Sequence, residues 1–205
     1  MGKVSADMNV SVDGFIAGPG ARPGSPRGDT GTRVHDWMKA GTAWRDRTGF
    51  GGGTENRDSE VVDEWFNSYG AVVMGRNMFD TGEVPWGDNP PFRTPVFVLT
   101  SRARRTLVKE GGTTFTFVTD GLESALDQAR DAARDKNVDI AGGADVLQQV
   151  IKAGLLDELQ IHFAPVLLGD GIRLFDQLGS DDLELEPTRV IDSPSVTHVR
   201  YRVVK

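Results

Sequence analysis

Short apolar runs alternate with amphipathic segments along most of this chain, and this alternation constrains the fold more than any other feature. The runs at 71–74, 96–99 and 115–118 have the length and composition of buried strands. Apolar residues recur at helical spacing in 58–69 and 122–133. Because parallel strands need a crossover between them, usually a helix, this order predicts a sheet with parallel strands covered by helices.

The two ends of the chain complete the predicted sheet. Residues 3–10 predict a first strand, and residues 137–141 predict a strand that leads into a helix from Ala144 to Ala153. A long strand is predicted over 157–168. Two further strands, about 183–191 and 196–204, are joined by turn residues, which predicts an antiparallel hairpin. We therefore expect one α/β domain over 1–205, with a mixed central sheet that ends in this hairpin.

The segment 18–57 differs from the rest. Ten glycines lie between Gly18 and Gly53, together with three prolines. This composition predicts a long insertion loop with a short helix near His35–Met38. Loops of this length are usually lids, binding loops or mobile segments. An insertion without a role is the alternative. The helix that follows is expected to be capped by Asp58.

Composition excludes several classes of function. The net charge of −7 argues against a nucleic-acid surface, which needs a basic face. No apolar run approaches the roughly 20 residues of a membrane helix, and the first residues lack the pattern of a signal peptide. The absence of cysteine excludes disulfides, thiolate nucleophiles and cysteine-ligated zinc, and it favours a cytoplasmic location.

Three predicted strands end in residues suited to anions. The exits are 74–77, 99–102 and 141–145, and they carry glycine or hydroxyl residues, with an arginine in the first two. Glycines let backbone amides approach a phosphate, and a helix that starts there adds its positive end. Guanidinium groups match phosphate oxygens. Three such exits in one sheet indicate a ligand with separated phosphates, hence a dinucleotide. A tight turn at the glycines and solvated arginines are the alternatives.

Other candidate residues give weaker signals. His35, His162 and His198 are far apart in sequence and do not predict a metal site, which needs three or four converging ligands. The helical stripe assigns Trp65 to the core. Trp86 lies in a segment rich in Pro and Gly that predicts a loop, where its ring could flank a planar substrate.

Several segments resemble one family. Residues 72–79, 98–102 and 140–146 resemble the three cofactor segments of the dihydrofolate reductase superfamily. Residues 8–17 and 162–175 resemble the first strand, and the late strand and turn, of the branch named for the reductase half of the riboflavin-pathway deaminase–reductase. The resemblance spans nearly the whole chain except 18–57. It implies a three-layer α/β/α fold, a homodimer and NADPH as cofactor.

The resemblance also assigns residues to parts of NADPH. The first segment would start a helix beneath the pyrophosphate and the 2′-phosphate, the second would surround the adenosine, and the third would wrap the pyrophosphate. Residues near the end of the first strand would line the nicotinamide. The residues assigned in this way are Asn9, Ile16, Ala17, Gly75, Arg76, Asn77, Thr100, Ser101, Arg102, Gly142, Gly143, Ala144, Asp145 and Val146.

The implied reaction is hydride transfer to a polarised C=N or C=O group, which also needs a proton. Dihydrofolate reductases use a carboxylate on the helix that precedes the segment corresponding to 72–76. Aligning the Trp65–Phe66 pair puts Val62 at that place and Asp63 next to it. Asp13, at the end of the first strand, is the other candidate, with a turn-capping role as its alternative.

The expected function is therefore an NADPH-dependent reductase of a small planar or sugar-linked heterocycle, such as a ribosylaminouracil, a pterin or a folate. A non-catalytic nucleotide-binding protein without a proton donor is the alternative, and an anion-binding scaffold is a third. The zinc deaminase reaction of the bifunctional enzyme is excluded, because the chain has no cysteine.

Overall fold

A computed structural model describes residues 2–179 and 182–205. Its elements in the first half of the chain are β1 (Val4–Ser11), β2 (Phe15–Ala17), α1 (Asp36–Ala40), α2 (Thr42–Thr48), α3 (Arg57–Ser68), β3 (Tyr69–Gly75), α4 (Arg76–Trp86) and β4 (Pro95–Leu99). The second half contains β5 (Leu107–Val108), β6 (Thr114–Val118), α5 (Leu122–Ala133), β7 (Asn137–Ile140), α6 (Ala144–Lys152), β8 (Glu158–Ala164), β9 (Ile172–Arg173), β10 (Leu185–Asp192) and β11 (Thr197–Val203). None of the helices in the described residues could cross a membrane.

Within the described residues, nine strands form one sheet in the order β10-β11-β8-β1-β7-β3-β4-β6-β5. The strands from β8 through β6 in this order pair in parallel. β11 pairs antiparallel with both β8 and β10, which confirms the predicted mixed sheet and its hairpin. The hairpin therefore extends the sheet at the β8 edge.

Each face of the sheet is covered by helices, as the predicted three-layer arrangement requires. One core joins α5 and α6 to alternate residues of the strands, such as Val4, Ala6 and Met8 of β1. The second core is rich in aromatic residues and packs α1, α3 and α4 against the opposite face. Because side chains alternate along a strand, β1 sends Asp7 and Asn9 towards this second face.

The segment 18–57 is more ordered than the sequence predicts. It contains a 3₁₀ turn at Gly31–His35, followed by α1 and α2, so the prediction of a loop with one short helix near His35–Met38 is wrong for 31–34 and 42–48. The predicted short helix overlaps α1. Val34, Trp37 and Met38 are buried, and this burial organises a stretch that its glycines alone would leave irregular.

Two predicted details are corrected at the ends of elements. The side chain of Asn56, not Asp58, caps α3 by accepting a hydrogen bond from the Ser59 amide at 2.9 Å. Asp58 is instead buried, with a partner on β11. The strand predicted over 157–168 ends at Ala164, and the chain after it folds back so that β9 pairs with β2.

Candidate functional site

A cleft of about 1070 Å³ lies where β1, β7, β3 and β4 end. These strands are neighbours and run parallel, so their carboxyl ends meet at one edge of the sheet. Ligands of open α/β sheets bind at such edges. The three strand exits singled out in the sequence all contribute lining residues, and the segment 18–57 supplies part of another wall, including Arg27, Met38 and Trp44.

Three helices begin at this cleft without side-chain caps. α4, α5 and α6 have Gly75, Gly121 and Gly143 as their N-caps, and none of these ends has a side-chain cap hydrogen bond. The first amides of a helix have no partner within the helix, and the helix dipole adds a partial positive charge there. The cleft therefore collects three positive helix ends, which suits a ligand with several negative charges.

Gly142 and Gly143 shape one wall of the cleft. The peptide bond between them is cis, and the Gly142 carbonyl accepts a hydrogen bond from the Gly75 amide at 3.2 Å. A Cβ added to Gly143 would meet no atom within 4 Å, so the space beside this glycine is open. The backbone here is accessible to a ligand.

Arg76 and Arg102 meet at Asp80, a residue that the sequence analysis missed. Arg76 Nε donates to Asp80 Oδ1 at 2.6 Å, and Arg102 Nη2 donates to Asp80 Oδ2 at 3.0 Å. Arg76 Nη1 also donates to the Arg102 carbonyl oxygen at 3.3 Å. The sequence does contain a signal for the Arg76–Asp80 contact, because residues four positions apart on a helix lie side by side. This carboxylate holds two guanidinium groups together beside the cleft.

The residues assigned to the cofactor by resemblance lie together. With the exception of Arg102, they all line the cleft. Asn9, Ile16 and Ala17 lie with them, as do the starts of α4 and α6 and the residues after β4. The structure thus brings one set of distant segments to a single site, and what they bind remains a prediction.

The two predicted proton donors lie elsewhere. Asp13 is not among the residues that line the cleft. Its carboxylate accepts hydrogen bonds from the Ser11 hydroxyl at 2.6 Å and from the Leu168 and Gly169 amides. The Ser11 hydrogen bond, with those from the two amides, lowers the pKa of Asp13 to about 2. This geometry fits the turn-capping alternative.

Asp63 is exposed on α3 and is also absent from the lining of the cleft. Its neighbours along the helix, Val62 and Phe66, are the residues of this turn that pack into the core. The structure therefore brings neither predicted carboxylate to the place where a substrate would lie.

Trp86 is the last residue of α4 and does not lie on a loop, which corrects the prediction. Its ring lies 5.0 Å from that of Phe92, nearly perpendicular to it, and stacks with Phe115 at 6.1 Å between ring centroids. The ring occupies the space that a Cβ on Gly82 would need. Trp86 still lines the cleft, so its predicted role beside a planar substrate stays open.

Two of the histidines, which are far apart in sequence, lie in contact in the structure. His162 and His198 are register partners on β8 and β11, and their Nδ1 atoms are 2.6 Å apart. His162 Nε2 is 2.7 Å from Asp7 Oδ1, and His198 Nε2 is 3.0 Å from Asp58 Oδ1. Asp7 lines the cleft. The described residues contain no group of three or more side chains able to hold a metal ion.

A second buried carboxyl group lies on the same face. Asp139 of β7 accepts a hydrogen bond from Trp65 Nε1 at 3.1 Å, and its Oδ2 has no hydrogen-bond partner among the described residues. Burial, followed by the nearby charge of Asp7, raises the pKa of Asp139 well above its ordinary value. Asn9 lines the cleft, and its buried Oδ1 likewise has no hydrogen-bond partner in the part of the chain that the structure describes. The position of Asp139 inside the predicted strand 137–141 was the sequence signal for a buried carboxyl group.

Comparison with known proteins now places the chain in a family. Residues 2–199 match the model of the RibD C-terminal domain. The chain belongs to that family. Among curated proteins, YwjB of Bacillus subtilis (strain 168), described as uncharacterized, is 26% identical over 140 residues, which are 66% of this chain and 75% of YwjB.

Solved structures agree on the fold. A putative riboflavin biosynthesis protein from Shewanella sp. PV-4 aligns over 100% of both chains with a TM-score of 0.70 and 24% identity. Enterococcus faecalis dihydrofolate reductase, complexed with NADP(H), aligns over 99% of this chain and 97% of its own, with a TM-score of 0.55 and 15% identity.

A diaminohydroxyphosphoribosylaminopyrimidine deaminase/5-amino-6-(5-phosphoribosylamino)uracil reductase from Thermotoga maritima aligns with a TM-score of 0.62 and 17% identity. The match covers 99% of this chain but 57% of that protein. These likenesses confirm the predicted dihydrofolate reductase-like fold.

The raised pKa of Asp139 predicts a pH-dependent contribution to stability. The folded protein keeps the Asp139 proton at pH values where the unfolded chain, with an ordinary pKa near 3.8, has lost it. Stability therefore falls as the pH rises above that value, by up to about 1.4 kcal/mol per pH unit, until the folded pKa is passed. Asp139→Asn cannot ionise, so we expect it to lack this fall.

The measurement is urea unfolding of wild type and Asp139→Asn between pH 4 and 8. The difference in the free energy of unfolding should move in favour of the variant as the pH rises. Asp131→Asn, an exposed change on α5, serves as the control and should show a constant difference. A constant difference for Asp139→Asn would contradict the assignment of a buried, protonated Asp139.

Proposed function

We propose that this chain is a reductase that uses NADPH to deliver a hydride to a small planar or sugar-linked heterocycle. One observation carries the proposal: three uncapped helix N-termini open into a single cleft. The chain has a net charge of −7, so a polyanionic ligand needs such a local concentration of positive groups. The RibD C-terminal family model and the NADP(H) complex of the Enterococcus reductase support this choice of cofactor.

The described residues fit a dinucleotide phosphate. The open space beside Gly143 and the free amides at the starts of α4 and α6 suit the pyrophosphate. Arg76 and Arg102, which Asp80 holds together, suit a terminal phosphate such as the 2′-phosphate of NADPH. Asn9, Ile16 and Ala17 lie in the same cleft and would border the nicotinamide.

The chemistry supplied by bound NADPH is the donation of a hydride to an electron-poor carbon. The chain would orient the substrate carbon beside the nicotinamide and exclude water from the space between them. Trp44, Trp65 and Trp86 line the cleft and offer flat surfaces for a heterocycle. Because part of 18–57 forms a wall of the cleft, we expect this segment to select the substrate.

The alternative is a protein that binds NADPH without turnover, and one observation favours it. Both predicted proton donors, Asp13 and Asp63, lie outside the cleft. Asp7 does line the cleft and contacts His162, so another route for a proton is present. A single reductase domain over 1–205, a homodimer and a cytoplasmic location remain predictions from the resemblance and the composition.

The direct test is NADPH oxidation, followed by absorbance, with pterins, folates, ribosylaminopyrimidines and quinone-like compounds. Turnover of at least one compound, with quenching of tryptophan fluorescence by NADPH, supports the reductase. Tight binding without turnover of any compound supports the non-catalytic alternative. A folded protein whose fluorescence and absorbance show no NADPH binding contradicts both.

The arginine pair predicts a preference for NADPH over NADH. We expect Arg76→Ala/Arg102→Ala to weaken NADPH binding roughly 100-fold, because each charge-assisted hydrogen bond contributes about 1.5–3 kcal/mol. NADH lacks the 2′-phosphate, and its affinity should change less than about three-fold. Calorimetric titration of both cofactors measures the difference. Arg105→Ala, at an exposed position three residues from Arg102, is the matched control. An equal loss of affinity for NADPH and NADH would contradict the assignment of Arg76 and Arg102 to the 2′-phosphate.

Gly143 predicts a second effect on binding. Its φ of −58° is open to any L-residue, and a Cβ there would meet no protein atom. Gly143→Ala should therefore keep the free energy of unfolding within about 1 kcal/mol of wild type. Its methyl group would occupy space assigned to the pyrophosphate, so we expect NADPH affinity to fall about ten-fold or more. Unchanged affinity in a folded variant would show that the phosphates lie elsewhere.

A further inference from the structure

We infer that Asp7, His162, His198 and Asp58 form a buried chain that stores one proton and delivers it to the substrate at Asp7. This inference rests on the proposed reductase function and supplies the proton that hydride transfer requires. The chain starts at the cleft, where Asp7 is a lining residue, and ends at Asp58 on α3.

The geometry of the chain is continuous. Its three contacts measure 2.7 Å from Asp7 Oδ1 to His162 Nε2, 2.6 Å between the two Nδ1 atoms, and 3.0 Å from His198 Nε2 to Asp58 Oδ1. All three lie within hydrogen-bond range. The side chains of both histidines and of Asp58 are at most 4% exposed, whereas that of Asp7 is 10% exposed. Water in the cleft can therefore reach the chain at Asp7.

Neighbouring groups hold the chain in this arrangement. Gln160 Nε2 donates to the second oxygen of Asp7 at 2.9 Å, which orients that carboxyl group. The ring of Trp37 packs against both imidazoles, with centroids 4.8 Å from His162 and 4.9 Å from His198. The register of β8 with β1 and β11 sets His162 opposite Asn9 and His198.

The contact between the two rings fixes the number of protons. Two bare Nδ1 atoms at this distance would repel each other, and two N–H groups would collide, so one proton lies between them. With both Nε2 atoms donating to carboxylates, the two rings share one positive charge. Asp7 and Asp58 balance that charge from either end. The four residues thus hold one proton more than two neutral histidines would carry.

The proposed transfer balances in atoms and electrons. As the substrate carbon gains a hydride from bound NADPH, the π-electron pair of its C=N or C=O bond moves onto the nitrogen or oxygen. The carboxylate of Asp7 receives the Nε2 proton of His162 and passes it to that atom. The proton between the rings then stays on His162, and both rings are neutral. After the reduced substrate leaves, a proton from solvent that enters through the cleft at Asp7 would restore the starting state.

The surrounding titratable groups are held in neutral forms. Burial raises the pKa of Asp139 on β7 and of Tyr69 on β3. Burial, with the charges of Arg27 and Lys39, lowers the pKa of His35 to about 3. Within the chain itself, burial lowers the pKa of His198, and its hydrogen bond to Asp58 opposes that change. The neutral neighbours therefore add no charge beside the four-residue chain.

Two arginines on the hairpin, Arg189 and Arg200, form ion pairs with Glu64 of α3. Arg200 of β11 donates to Gln160 Oε1 at 2.7 Å and to Glu64 Oε1 of α3 at 2.8 Å. Arg189 of β10 also donates to Glu64. Arg200 thus holds the side-chain amide of Gln160, which orients Asp7, while the charge of Arg200 is paired with Glu64.

The storage of the proton is tested without turnover. Protein labelled with ¹⁵N-histidine is followed by NMR between pH 5 and 9, with His35 as the internal reference. We expect the imidazole signals of His162 and His198 to change together in one pH range. Asp58→Asn should shift the titration of His162, which has no contact with Asp58, by at least half a pH unit. Asp131→Asn is the control. Independent titration of the two rings, or no effect of Asp58→Asn on His162, would overturn the storage of a shared proton.

The delivery of the proton is tested with a substrate found in the oxidation assay. Asp7→Asn should lower kcat at least 100-fold and leave NADPH affinity within three-fold. Asp58→Asn should lower kcat about ten-fold and displace its pH profile, with KM unchanged, because it acts only through the histidines. Wild-type kcat in a folded Asp7→Asn protein would overturn delivery. If that variant does not fold, an unchanged pH profile in Asp58→Asn has the same consequence.

The two arms separate the inference from the proposed function. If wild type binds NADPH but reduces no compound, the reductase proposal fails and the delivery step fails with it. The NMR titration still decides whether the four residues share a proton. If wild type turns over and the rings titrate independently, the reductase stands and the proton chain is wrong.

Discussion

The parallel alignment of β1, β7, β3 and β4 is the constraint on which the site depends. It brings the carboxyl ends of four strands to one edge, and the helices that follow β3 and β7 must begin there. α5, which follows β6, begins at the same edge. Glycine N-caps leave the first amides of these helices without side-chain partners. A positive concavity is thus a consequence of chain topology in a protein of negative net charge.

One face of β1 packs into an apolar core, and the other carries polar side chains towards the cleft. Ala6, Met8 and Val10 pack into the core with α5 and α6, where apolar burial stabilises the sheet. Asp7 and Asn9 project to the opposite face, where the polar groups of β7 and β8 gather beneath α3. Burying so many polar groups costs stability unless each finds a partner. The contacts between the carboxyl groups and the imidazoles give some of these groups hydrogen-bond partners, and Asp7 still lines the cleft.

The sequence predicted the features that depend on local periodicity and missed those that depend on distant contacts. The main strands of the sheet, the helices α3, α5 and α6 and the hairpin follow from apolar spacing, and the structure confirms them. Apart from the short helix predicted near His35–Met38, the order in 31–48 was missed, because the glycine-rich composition gives no pattern for buried residues such as Val34. The contact between His162 and His198 depends on strand register across 36 positions, which no local pattern encodes. The sequence predicts Asp58 as a helix cap, but in the structure its carboxylate contacts His198 of β11, 140 positions away.

The central claim is that the three glycine-capped helix ends receive one ligand, the phosphates of NADPH. The most direct measurement is a titration of ¹⁵N-labelled protein with NADPH, followed through the backbone amide signals. The account predicts that the first amides of α4, α5 and α6 shift together and share one half-saturation concentration. Binding of NADPH that leaves these amides unmoved, or that moves one helix end alone, would contradict it.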